Sequence, residues 1–127
     1  MNHKILIVDD SPLLRATARR AVLQAGVPPE NVREACNGKE ALEALEREVA
    51  DLVLLDINMP VMDGFQFVEQ KAALPALAAV RIALITTEGN QQRLARMRAL
   101  GVVHYLRKPF APEELRELVR ELFTGAR

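Results

Sequence analysis

Two stretches of this chain, Ile5–Val8 and Leu52–Leu55, are wholly apolar, and each is cut off by aspartate: Asp9 and Asp10 after the first, Asp56 after the second. A third, residues 80–85, is broken only by Arg81 and ends at Thr86 and Thr87. A strand with one wet face alternates apolar and polar residues, whereas a strand that is apolar throughout has to be covered on both faces. These runs therefore read as inner strands of a sheet with helices packed above and below, and the sequence between them must supply the helices.

The intervening segments have the required spacing. Leu14, Ala18, Ala21, Val22 and Ala25 recur with helical period, leaving Arg15, Arg19 and Arg20 for water. Pro12 suits the first turn of this helix, with Asp10 or Ser11 as its cap, and Gly26, Pro28 and Pro29 suit its end. Residues 32–36 form a short mixed strand, with Cys36 read as a small core residue. Asn37-Gly38 then turns into a helix that points Ala41, Leu42 and Leu45 inward. Asp63-Gly64 starts a third helix with Phe65, Val68 and Ala72 on its inner face, stopped near Pro75. Residues 90–99 give a weakly amphipathic helix anchored by Leu94 and Met97, and residues 102–106 a last strand. Leu115, Leu118, Val119 and Leu122 face inward from the last helix. Five strand–helix units with right-handed crossovers predict a doubly wound α/β fold on a five-stranded parallel sheet, helices on both faces.

Composition narrows the function. A chain of 127 residues, 50% apolar, can bury a core without a metal or disulfide to hold it. Cys36 is the only cysteine, which excludes an internal disulfide and a cysteine-based zinc site. Seventeen basic residues balance 17 acidic ones, which argues against nucleic-acid binding through a broad basic face. The first apolar run is too short for a signal peptide or membrane span, so the chain reads as cytoplasmic. No Gly/Ser/Pro-rich linker interrupts it, and residues 1–127 are expected to be one domain.

In such folds ligands sit beyond the carboxyl ends of the strands, at the topological switch point. The strand ends here offer Asp9 and Asp10, Asp56, Thr86 and Lys108. The six glycines are isolated, so no Gly-rich phosphate loop is present. Three neighbouring carboxylates repel one another and call for a hard cation such as Mg²⁺, which binds through one or two carboxylates, waters and phosphate. Lys108 then offers a charge to a phosphoryl oxygen, Thr86 a hydrogen bond, and one aspartate is left as a nucleophile toward phosphorus. Each residue alone has a plainer reading. Asp56 suits a turn, Thr86 a capping hydroxyl and Lys108 a solvated loop. His104 and His3 read as inert, and Arg93, Arg96 and Arg98 as a solvated helix face. The functional reading rests on all the strand ends agreeing.

The segments ILIVDDSPLLR, DLVLLDINMPVMDGF, ALITTEGN and YLRKPFAPEEL, spread over residues 4–123, resemble the receiver domain of two-component response regulators, most closely its stand-alone chemotaxis (CheY-like) type. The resemblance implies the flavodoxin-like strand order 2-1-3-4-5 and a set of roles. Asp56 is the phosphoacceptor. Asp9, Asp10, Asp56 and the backbone carbonyl of Asn58 hold Mg²⁺. Lys108 pairs with the phosphoryl group, and Thr86 moves to bond it after transfer. Tyr105 turns inward when Thr86 moves, and Pro109 follows a cis bond. The implied donor is a histidine kinase or histidine phosphotransfer protein. The implied target is a downstream protein on the face of the fourth helix, fifth strand and fifth helix, with Arg93, Arg96 and Arg107 as edge contacts. A monomer that is no enzyme in the ordinary sense is expected, with no nucleic-acid or membrane partner.

The sequence departs from the pattern in a long loop at residues 26–31, in Thr87 where a smaller residue is frequent, and in Val102, Val103 and His104 before the tyrosine. Two alternatives remain open. One is a receiver excised from a larger regulator. The other is an Asp-nucleophile phosphatase, which wants a second aspartate two residues after the first, where this chain has Asn58.

Overall fold

The computed structural model describes residues 3–124. Strands β1 (Ile5–Val8), β2 (Val32–Ala35), β3 (Leu52–Leu55), β4 (Arg81–Thr86) and β5 (His104–Arg107) alternate with helices α1 (Pro12–Gln24), α2 (Gly38–Arg47), α3 (Gly64–Ala72), α4 (Gln91–Ala99) and α5 (Pro112–Thr124). All strand pairs are parallel, in the order β2-β1-β3-β4-β5. The order expected from the resemblance is the one observed.

The apolar runs do what their composition requires. Leu6, Val8, Val53 and Leu55 point into one core with α2 and α3, while Ile5, Ile7, Leu52 and Leu54 point into a second with α1 and α5. The two cores are the two faces of one sheet, and alternation along each strand divides its residues between them. Four helices begin with a side-chain cap. Ser11 Oγ accepts from the Leu14 amide at 3.2 Å, and Asn37 Oδ1 from Glu40 at 2.9 Å. Asn90 Oδ1 accepts from Arg93 at 3.0 Å, and Asp63 forms a reciprocal capping box with Gln66.

Several local expectations are corrected. In α3, Phe67 is fully buried while Ala72 is exposed; Ala72 lines an open groove between α3, β4 and the loop that follows α4. Cys36 is half-buried just beyond β2 rather than a core residue. The last strand starts at His104, not Val102, because the Val102 amide is spent on the Met97 carbonyl at 3.0 Å, closing α4. Gly101, at φ +94°, makes that reversal, a conformation L side chains avoid. Strand β5 is an edge strand, and Tyr105 and Arg107 on it are exposed. The His3 ring stacks on Phe123 with centroids 4.0 Å apart.

Candidate functional site

Three of the four parallel ladders continue one hydrogen bond past their strand ends. Asp9 N donates to Ala35 O (3.1 Å), Asp56 N to Val8 O (3.0 Å) and Lys108 N to Thr86 O (3.0 Å). The sheet register itself therefore sets these residues side by side at its carboxyl edge. Asp9 and Asp56 are buried, at 6% and 7% exposure, and the Lys108 ammonium lies between them, 2.7 Å from Asp9 Oδ2 and 3.4 Å from Asp56 Oδ2. The other carboxylate oxygens are held by backbone. Asp9 Oδ1 accepts from Ser11 N at 2.9 Å and Asp56 Oδ1 from Ile57 N at 2.8 Å. The buried setting overturns the plainer reading of Lys108 as a solvated loop residue: its side chain is 9% exposed.

Asp10 is exposed, and Asp9, Asp10 and Asp56 each bring a carboxylate oxygen within 4.8 Å of the others. One ammonium against three carboxylates leaves the cleft with a surplus of negative charge, made only of hard oxygen donors and open to water on the Asp10 side. That donor set fits a hexacoordinate divalent cation that keeps several of its waters. Asn58, two residues past Asp56, is exposed in the loop that leads to α3. The Lys108–Pro109 bond is cis.

Gly64 opens α3 against the back of this cleft. A Cβ there would lie 2.7 Å from the Asp56 carbonyl oxygen and 2.8 Å from Ile57 Cα, so only glycine lets the helix approach this closely. Its amide donates to the Ile57 carbonyl at 2.8 Å.

Thr86 is fully buried at the end of β4, and Tyr105 is 38% exposed on β5. They do not bond each other; both bond Glu88. The Glu88 amide donates to Thr86 Oγ1 at 3.3 Å, and the Tyr105 hydroxyl donates to the Glu88 carbonyl at 2.7 Å. Sequence reading passed over Glu88. Its only signal was an acid just before a helix N-terminus, a place that favours negative charge. Also missed was Arg15, whose Nη1 donates to the Asp9 carbonyl at 2.6 Å while its Nε meets Glu34 at 3.0 Å.

The arginines of α4 are exposed, as a solvated helix face implies, and two of them are also partnered. Arg93 and Arg96 lie over the Phe65 ring, at 4.6 and 5.2 Å from its centroid, and pair with Glu88 and Glu69. They face α3 and the β4–α4 loop, not the edge beside β5. Arg107 is exposed, with its guanidinium beside Gly89.

A fold with this strand order, carrying an aspartate triad and a buried lysine at its carboxyl edge, defines a class of phosphorylation-operated signalling switches. Comparison with known proteins agrees: the family model described as "Response regulator receiver domain" matches residues 5–120, and the chain belongs to that family. Within it the chain is CheY-like. It is 36% identical over 115 residues to chemotaxis protein CheY1 of Helicobacter pylori, covering 90% of this chain and 91% of that protein. The solved structure of chemotaxis response regulator CheY4 of Vibrio cholerae superposes with a TM-score of 0.85 at 32% identity, covering 96% of this chain and 99% of the other. The chain also spans 98% of its own length at 32% identity with a protein-glutamate methylesterase/protein-glutamine glutaminase of Methanococcoides burtonii, but only 35% of that longer protein. No helix among the described residues is long and apolar enough to cross a membrane.

Proposed function

We propose that Asp56 is the phosphoacceptor of this receiver domain, which acts as a cytoplasmic monomer. The observation that carries the reading is the Lys108 ammonium seated between Asp9 and Asp56, with Asp10 at the open rim. A carboxylate oxygen of Asp56 attacks the phosphorus of a phosphohistidine on a histidine kinase or phosphotransfer protein. The P–N bond breaks, its electron pair leaves on the imidazole nitrogen, and an aspartyl phosphate remains. Asp9, Asp10, Asp56 and the Asn58 carbonyl would hold Mg²⁺, which when bound supplies positive charge to the phosphoryl oxygens and relieves the repulsion among the carboxylates.

Lys108 gives the new phosphoryl group, of about two negative charges, a fixed cation to pair with. Turning the Thr86 hydroxyl toward that group gives up the bond from the Glu88 amide. Because Tyr105 is bonded to the carbonyl of the same residue, the loop and the ring respond together. The altered surface of α4, β5 and α5 is then read by a downstream protein; Met97 is the one fully buried side chain of α4, so this helix is easily biased between positions. The protein is a phosphoacceptor rather than a phosphatase, because Asn58 stands where that chemistry needs a second carboxylate.

The test is labelling by acetyl phosphate or a phosphorylated kinase. Asp56→Asn should abolish it, and excess chelator should abolish it in the unaltered protein. Full labelling of Asp56→Asn would overturn the assignment.

A further inference from the structure

The β4–α4 loop is held from three sides through one residue. The Glu88 amide bonds Thr86 Oγ1, its carbonyl accepts from Tyr105, and its carboxylate pairs with Arg93 Nε at 2.7 Å while Oε2 also accepts from the Asn90 amide at 3.1 Å. The Glu88 side chain is only 15% exposed. Arg93 is not a loose surface arginine. Its guanidinium lies 4.6 Å from the centroid of Phe65, which is itself 5% exposed and follows the glycine packed on the Asp56 backbone. A guanidinium held over a ring and paired to a carboxylate is constrained in position as well as charge.

We propose that Arg93 is a positioning residue: seated on Phe65 and paired to Glu88, it clamps the β4–α4 loop in the arrangement where the Glu88 amide engages Thr86, and so sets how much free energy a phosphoryl group must supply to turn Thr86. This deepens the phosphoacceptor reading and rests on it. The clamp joins the start of α3, which abuts Asp56, to the loop that carries the response. An interaction made in one arrangement and lost in the other biases the equilibrium between them, and a ligand of the second arrangement gains affinity when that interaction is removed.

The experiment is titration of the full chain with beryllofluoride and Mg²⁺, which mimic the phosphoryl group, read by intrinsic fluorescence. Tyr105 is the only tyrosine and there is no tryptophan, so the signal reports the residue bonded to Glu88. Glu88→Gln keeps both backbone bonds and removes the charge; Arg93→Ala removes the partner. Both should bind beryllofluoride about two- to fivefold more tightly, the range expected for a partly exposed ion pair. The double variant should gain no more than either alone, and Arg93→Lys should return part of the way. Arg96→Ala breaks the neighbouring pair with Glu69 without touching the loop, and should leave the affinity unchanged. A simple loss of packing would weaken binding in all of them. Unaltered protein that responds, with Glu88→Gln and Arg93→Ala equal to it or weaker, overturns the clamp alone. Unaltered protein that takes label from acetyl phosphate but gives no response at Tyr105 overturns the clamp alone; unaltered protein that gives neither overturns the phosphoacceptor reading and the clamp with it.

Discussion

Removing the Lys108 ammonium should destabilise the protein far more than removing an equally short pair on the surface. The comparison is available within the molecule. Lys108–Asp9 and Lys4–Glu48 both measure 2.7 Å, but the first pair is 9% and 8% exposed and the second 41% and 52%. Coulomb's law at one distance differs between them only through the surroundings. In Lys108→Met the buried Asp9 and Asp56 lose the cation seated between them. Breaking a deeply buried pair costs about 3–5 kcal/mol, an exposed one about 0–1 kcal/mol. Water reaches this cleft from the Asp10 side, which places Lys108→Met near about 2–3 kcal/mol without divalent cation. For a domain of this size that is a fall in Tm of about 6–15 °C. The assay is urea and thermal unfolding by circular dichroism at neutral pH in chelator, with Lys4→Met alongside. Adding Asp9→Asn to Lys108→Met should recover much of the loss, since it removes one of the stranded charges. A midpoint for Lys108→Met no lower than that of Lys4→Met would refute the argument that burial makes this pair matter.

Gly64→Ala should destabilise by about 1–3 kcal/mol, because the added methyl meets backbone of Asp56 and Ile57 that has little room to yield; equal or greater stability in urea would contradict the close approach. Val61 is exposed at φ +69°, a conformation unfavourable for a β-branched residue, so Val61→Gly should raise the unfolding free energy by about 0.5–1 kcal/mol, and a lower urea midpoint would refute the strain. The Cys36 amide holds the Glu40 carboxyl below the usual glutamate range. A depressed folded-state value gives stability that is present above the ordinary value and lost as pH falls through the folded one. Glu40→Gln should therefore unfold more readily than the unaltered protein at neutral pH, with the gap closing in acid; a gap independent of pH would exclude this linkage.

Strands β1 and β3 were legible because burial on both faces leaves its mark on every residue, and their terminal aspartates followed at once. The register then carries Asp9, Asp56 and Lys108 to one edge whatever the side chains are, so strand ends alone indicated the candidate site. Features that depend on tertiary contact had no such periodic mark. Val102 is apolar and β-branched, fit for a strand, yet its amide closes α4. Lys108 before a proline reads as solvated until the two aspartates are placed around it. The face of α4 was only partly legible for the same reason. With Met97 as its one buried residue and Leu94 half-buried, the helix has too little apolar surface for its pattern to say which side is inward. Long arginine stems can cover apolar surface while their charged ends find partners. Arg93 and Arg96 do this over Phe65 while staying exposed, so the solvated stripe also carries the contacts toward α3. A helix seated through Met97 and Leu94 and supplemented by ion pairs and ring contacts is held in part by forces that charge and salt can shift. That is the kind of attachment expected of an element that must move when a phosphoryl group arrives nearby.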